Sequence, residues 1–283
     1  MPSDPSLRLR ITAKGGLRCF RWLHHAEPLY LLASFAILCA TIQSENVAMN
    51  TPDTSPRALT GIASMATRQL LAELARMHAA AGGVQLALES VGGVDAARRV
   101  QAGESFDLVF LASDAINKLI NSGHVVAGSR VDLVRSQVAL AVKSGALAPS
   151  IATELEVKQA VRAAASIGYS TGPSGTALLA LLERWGILTD VQGKLRQAPA
   201  GVPVAAMVAR GEVALGFQQR SEMIDAPGIE LIGDLPSDIA IVTVFSGGVC
   251  AASERADEAS ALLAAFAAPI HEASKLKHGM AAT

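Results

Sequence analysis

Short apolar runs alternate with stretches whose apolar residues recur at helical spacing, and the alternation continues from residue 58 to residue 266. A brief apolar run between turn signals reads as a strand, and apolar residues at i, i+3, i+4 and i+7 read as one face of a helix. Residues 58–62 therefore predict a strand. A helix opens at Ser64, carries Leu70, Leu71, Leu74 and Met77 on one side, and is stopped by Gly82 and Gly83. Strands follow at 84–88 and 106–111, with helices at 95–102 and 114–121. After Gly123 the rhythm resumes, with strands at 137–142, 166–169, 213–217 and 239–245 and helices at 157–165, 175–185, 204–210 and 256–266. Ser246, Gly247 and Gly248 read as a turn. Strand and helix in alternation predict an α/β fold in which helices cover both faces of a largely parallel sheet.

Composition fits a chain with a substantial core: 51% of the 283 residues are hydrophobic and only 17% are charged. A length of this order holds one large domain or two smaller ones. Aromatics are 4% and the net charge is -1, so the basic face and stacking platforms of a nucleic-acid binder are missing, and no such partner is expected.

The N-terminus differs in kind. Arg8, Arg10, Lys14, Arg18 and Arg21 precede an uncharged stretch, 28–44, whose apolar centre is too short for a bilayer span. That order is the secretory pattern, so residues 1–48 read as an export leader and the mature protein as periplasmic, monomeric and without a stable membrane span. Lipidation at Cys39, and a cytosolic protein beginning at Met49, are the other readings of this region. Residues 1–48 hold five of the 24 Lys and Arg and three of the 25 Asp and Glu, so the remainder carries a formal charge of -3. Such a surface offers an anion no long-range attraction, and anion selectivity must come from local dipoles. Cys250 is the single cysteine past the leader, which leaves no partner for an intramolecular disulfide.

Two segments carry the candidate chemistry. SerThrGlyProSerGly begins at Ser170 and GlyPheGlnGlnArgSerGlu begins at Gly216, each straight after an apolar run. Both place small donors where parallel sheets present their ligands. Gln218 and Gln219 supply amides; Thr171, Ser174, Gly175 and Thr176 supply hydroxyls and open backbone. Ser64, Gly93 and Ser174 stand at helix starts, where unpaired N–H groups concentrate roughly half a positive charge. Ordinary N-capping accounts for the same residues equally well. Arg68 and Arg220 are either carboxylate partners or surface charges. His78, His124, His271 and His278 lack metal-ligand spacing and read as surface histidines, so neither a metal nor another cofactor is expected. Asp107 reads as a pairing residue, and no nucleophile elbow is present.

AlaSerMetAla at 63–66, GlnAlaGlyGluSerPheAspLeuValPhe at 101–110, Ser113 with Asp114, and ArgGlyGluValAlaLeuGlyPhe at 210–217 together resemble the type 2 periplasmic solute-binding proteins, and within them the molybdate-binding proteins of ABC importers. The resemblance implies two Rossmann-like α/β lobes joined by two hinge strands, lobe 1 comprising 57–135 with 243–283 and lobe 2 comprising 136–242. It implies a ligand held between the lobes and an importer permease as partner. The first oxyanion serine of that family is kept as Ser64. The second falls on Gly92, Gly93 or Val94, near Ser90, and the ligand tyrosine falls on Gln219. Amides and glycine backbone suit a flatter carboxylate better than tetrahedral molybdate. The wider family includes a branch with the same GlnGln ending that isomerises aconitate.

The functional expectation is capture of a small anion, a carboxylate or an oxyanion, for an importer. An isomerase of a polycarboxylate such as aconitate is the alternative, and it requires a base in the cleft. Tyr169, Glu89 and Glu222 all qualify by type, and none is marked by the sequence.

Overall fold

The computed structural model describes residues 57–283. The expected leader, with Cys19 and Cys39, lies outside the described residues. The first half of the fold runs β1 (Leu59–Ser64), α1 (Arg68–Ala80), β2 (Leu86–Val91), α2 (Gly93–Gln101), β3 (Leu108–Ala112) and α3 (Ser113–Asn121). The long strand β4 (Val131–Lys143) leads to α4 (Glu154–Ala163), β5 (Ile167–Tyr169), α5 (Pro173–Arg184), α6 (Leu188–Val191), β6 (Leu195–Gln197), α7 (Val204–Arg210), β7 (Leu215–Gln219), α8 (Arg220–Met223) and β8 (Ile229–Asp234). The chain then returns through β9 (Val242–Val249) and ends in α9 (Ala256–Ala267) and α10 (Glu272–Lys277).

Hydrogen bonds link the strands in the order β2-β1-β3-β9-β4-β7-β5-β6, with β8 also on β4. β1, β2 and β3 pair in parallel, as do β5, β6 and β7, so each set directs its C-terminal ends to one edge. β4 and β9 are antiparallel to their neighbours and to one another, and they connect the two sets. One half of β4, Val131 to Gln137, pairs with β9, and the other, from Val138, pairs with β7 and β8. The register shifts twice, as at bulges: between Asp132 and Val134, where β4 carries the extra residue Leu133, and opposite Leu140 and Ala141, where β8 carries the extra residue Ile232.

The buried apolar side chains follow the same division. Leu59, Leu74, Phe110, Leu263 and Phe266 belong to one cluster and Ile62, Val109 and Ile116 to another, drawn from residues 59–134 and 245–280. Two further clusters, with Leu140, Leu182 and Phe217 in one and Ala141, Val208 and Met223 in the other, draw their buried members from 138–239.

Several expectations change. Ser246, Gly247 and Gly248 are strand, not turn, since β9 continues through them against β3 and β4. The glycines are needed because a Cβ on Gly247 would drive into Leu263 and stand 3.1 Å from the Phe110 ring, with α9 pressed on that face. β4 begins six residues before the expected strand, because its exposed positions Asp132 and Arg135 broke the apolar run that served as the signal. β6 and β8 were missed, β6 for having three residues and β8 for being only partly buried.

His278 is buried, not superficial: its Nε2 meets Glu73 Oε2 at 2.9 Å, beside Lys277 at 2.7 Å from the same oxygen and Ser274 at 2.9 Å from the other. That cluster docks α10 onto α1, with the Lys277 hydrogen bond foremost in holding the Glu73 carboxyl down at about 2. Asp107 pairs as expected. It accepts from Thr60 N–H at 2.8 Å and from Ser253 Oγ at 2.6 Å, tying the start of β3 to β1 and to the chain beyond β9.

Candidate functional site

The C-terminal ends of both parallel sets open onto one cleft of about 840 Å³. Ser64 ends β1, Gly92 follows β2 and Ala112 ends β3; Ser170 follows β5, Ala198 follows β6, and Gln218 with Gln219 ends β7. All line the cleft. Three helices form its sides. α2 presents Gly93, Val94, Ala97, Arg98 and Gln101, α3 presents Asp114, Ala115 and Lys118, and α5 presents Ser174, Thr176, Ala177 and Ala180. In each case the spacing is that of a single helical face.

Capping does not explain the residues at the helix starts. α2 begins after Gly92, α3 after Ala112 and α5 after Gly172 with Pro173 in its first turn, and none has a side-chain cap. By contrast α4, which lies away from the cleft, has a complete capping box from Thr153 and Glu156. The first-turn N–H groups of α2 and α3 are thus left for another acceptor, whereas in α5 Pro173 has no N–H and Gly175 N–H donates to the Gly172 carbonyl at 3.0 Å, so Ser174 N–H is the first-turn donor that remains. Ser64 is 6% exposed and its Oγ has no hydrogen-bond partner. A Cβ placed on Gly93 would lie 3.5 Å from Ser64 Cβ, so the serine and the open start of α2 adjoin. Ser174 Oγ lies 2.8 Å from Ser170 Oγ, a hydroxyl pair in which either can donate.

Of the residues expected to contact a ligand, Ser64, Gly92, Gly93, Thr171, Ser174, Thr176, Gln218 and Gln219 line this cleft. Gly175 does not. A Cβ there would fall onto the Ser170 carbonyl oxygen, so glycine at 175 lets the first turn of α5 pack against the end of β5. The two glutamines also divide their work. Gln218 is engaged at both ends: its Oε1 accepts the Ala205 N–H at 3.0 Å, holding the start of α7, and its Nε2 donates to Glu222 Oε1 at 2.8 Å. Gln219 Nε2 donates to Thr243 Oγ1 of β9 at 2.8 Å, and its buried Oε1 has no partner.

The three candidate bases separate clearly. Glu89 is tied to Arg99 at 2.9 Å, with the guanidinium hydrogen bond foremost in holding its carboxyl below the usual range. Tyr169 lines a separate, smaller hollow with Leu179 and Leu188. Glu222 lines the cleft, and burial raises its carboxyl to about 7 against the opposing effects of the Gln218 hydrogen bond and the Arg68 charge. It sits on α8, three residues past the end of β7. A carboxyl poised near neutrality can take up and release a proton. Sequence gave no signal for it beyond its place after the glutamines, because its pKa depends on walls contributed by distant segments. Among the described residues no group of His, Cys, Asp and Glu could hold a metal ion, and no helix is long and apolar enough to cross a membrane.

Comparisons with known proteins agree with this geometry. A protein of Pseudomonas sp. named aconitate isomerase is 37% identical over 211 residues, which cover 72% of this chain and 80% of that protein. The periplasmic molybdate-binding protein of Azotobacter vinelandii superposes with a TM-score of 0.67 at 19% identity, over 78% of this chain and 98% of that one. The sulfate-binding protein SubI of Mycobacterium tuberculosis superposes with a TM-score of 0.65 at 16% identity, over 79% of this chain and 86% of that one. These structures share the type 2 periplasmic binding protein fold with this chain. The model of the bacterial extracellular solute-binding proteins matches residues 59–281, and the chain belongs to that family.

Proposed function

We propose that this chain isomerises a small unsaturated polycarboxylate of the aconitate kind, outside the cytoplasm. The observation that carries the reading is Glu222, a carboxyl raised to about 7 that faces a cleft otherwise furnished with anion-stabilising donors. The 37% identity to a protein named aconitate isomerase supports it.

In this reading the ionised Glu222 removes a proton from the substrate's methylene carbon, next to the carbon–carbon double bond. The electron pair left behind spreads over the allylic unit and its carboxylates. Glu222 then returns the proton to the far end of that unit, and the double bond moves by one carbon with no net gain or loss of atoms. Negative charge grows on the carboxylates as the proton leaves. Ser64 Oγ, the uncapped first turn of α2 and the Ser174 N–H of α5 are preorganised donors for that charge, which is where such donors accelerate a reaction.

Gln219 contributes when its amide rotates by 180°. The Thr243 hydroxyl then donates to Oε1 instead of accepting from Nε2, and the amide N–H groups turn toward the ligand. The lobes, 57–135 with 243–283 and 136–242, close over the substrate about β4 and β9 and exclude water from Glu222.

Capture of an anion for an importer permease is the second reading, favoured by the family and by the named ligands of the structural neighbours. It requires no proton transfer and gives Glu222 no task. Ultraviolet absorbance and chromatography of trans-aconitate incubated with the purified protein decide between them. Appearance of cis-aconitate, abolished in Glu222→Gln, is expected; tight binding without conversion by the wild-type protein would establish capture.

A further inference from the structure

Arg98 and Lys118 line the same cleft as Ser64, and neither has a role in the proton transfer. On α2 the cleft face runs through Val94, Ala97, Arg98 and Gln101, so Arg98 lies five residues beyond the open start at Gly93. At 1.5 Å per residue that separation is about 8 Å along the helix. Lys118 reaches the cleft from the last turn of α3. Asp114 shares that face but sits in the first turn, where the positive end of the helix offsets its charge.

Helix-dipole compensation alone does not account for this pair. Arg99, also in the last turn of α2, points away from the cleft and is taken up by Glu89 and Glu104. Arg98 faces the cleft with only Asp95 against it, an exposed pair at 3.2 Å with Arg98 72% exposed, of the kind that contributes little. Lys118 joins no ion pair among the described residues. Between these cations and Ser64 the wall is hydrocarbon, supplied by Val94, Ala97 and Ala115, and Val94 is 60% exposed.

The wall therefore has two anion-attracting poles, one of neutral donors at Ser64 and Gly93 and one of cations at Arg98 and Lys118, with an apolar strip between. We propose that Arg98 and Lys118 form a remote carboxylate subsite that selects anions whose carboxylates are spread over several carbons. A compact tetrahedral oxyanion or a single carboxylate occupies one pole only. The proposal rests on the reading of the cleft as a polycarboxylate site, but it concerns binding and is independent of turnover.

The test is calorimetric titration of the purified full-length protein, and of Arg98→Gln, Lys118→Gln and the double variant, with two probes. Tricarballylate is a saturated tricarboxylate that cannot isomerise, and acetate is a monocarboxylate. Both side chains are exposed, so thermal melts are expected to be unchanged. Each single variant is expected to weaken tricarballylate by about tenfold, as loss of one charge-assisted contact does, and to leave acetate alone. Equal tricarballylate affinity in wild type and double variant overturns the subsite even if aconitate is still isomerised. Tricarballylate binding that depends on Arg98 and Lys118 in a protein that does not convert aconitate upholds the subsite and overturns the isomerase reading.

Discussion

Gln218 Nε2 donates to Glu222 Oε1 at 2.8 Å, while the other end of the same amide accepts the Ala205 N–H at 3.0 Å. One side chain thus anchors the start of α7 and presents the cleft carboxyl. Its hydrogen bond favours the ionised form of Glu222 and works against the burial that raises the group. Replacing Gln218 by Leu removes that support, so the pH dependence of the proposed isomerisation is expected to move to higher pH. It also leaves the Ala205 N–H without an acceptor, for a loss of about 1 to 3 kcal/mol in denaturant unfolding. An unchanged pH profile would mean that the contact does not tune Glu222.

Glu222→Gln separates chemistry from binding. Loss of a positioned general base costs roughly 10²- to 10⁴-fold in rate, and tricarballylate binding is expected to survive. In the wild-type protein the rate of the proposed isomerisation is expected to rise with pH through about 7, as Glu222 ionises. Stability moves the other way. Because the folded-state value of about 7 lies above the ordinary 4.5, the folded protein disfavours ionisation; the penalty is absent below pH about 4.5, grows as pH rises and is complete above about 7. The variant is therefore expected to be more stable than wild type at pH 8, by about 1 to 3 kcal/mol, and equal to it at pH 4.

Ser64→Ala tests whether the partnerless hydroxyl serves the ligand. A buried hydroxyl with no partner is a burden on the folded state, so its removal is expected to leave the melting temperature unchanged or higher. Tricarballylate affinity is expected to fall by a factor of about 5 to 10, the loss of one hydrogen bond. Lower stability with unchanged affinity would assign Ser64 to the scaffold.

Gly175→Ala is expected to act on folding rather than on the ligand. The added Cβ collides with the Ser170 carbonyl oxygen, which is backbone and cannot step aside without moving β5 or α5. A loss of about 3 kcal/mol or more in denaturant unfolding follows. A variant of wild-type stability would mean that this turn is looser than its packing indicates.

Glu73→Gln probes the joint between α1 and α10. The Glu73 carboxyl is held at about 2, first by the Lys277 hydrogen bond and then by Ser274 and His278. Its folded-state value lies below the ordinary 4.5, so its contribution to stability is complete above pH about 4.5 and disappears as pH falls toward about 2. The variant is expected to melt earlier than wild type at pH 7 and to match it at pH 2. An equal deficit at both pH values would point to lost packing instead of charge.

Much of the fold was legible in the chain, because its periodicities are local. The apolar run of β3 and the Leu70, Leu71 and Leu74 positions of α1 were marked by spacing alone and are buried, whereas Met77, marked with them, is 37% exposed. The small donors of the cleft were marked by their place after apolar strands. Other features depend on contacts between distant segments. Gly247 reads as a turn until Leu263 and Phe110 close on it from α9 and β3, and His278 reads as a surface residue until α10 folds back onto Glu73. Gln218 and Gln219 are adjacent and chemically identical, yet one holds a carboxyl and a helix start while the other holds Thr243, because neighbouring residues of a strand face opposite ways. The amino-acid order by itself set the alternation of strands and helices and which donors follow the apolar runs. Tertiary structure decided that one of three candidate carboxyl and phenol groups, Glu222, meets the cleft in surroundings dry enough to bring its proton affinity near neutrality, since desolvation is a property of walls that the sequence keeps far apart.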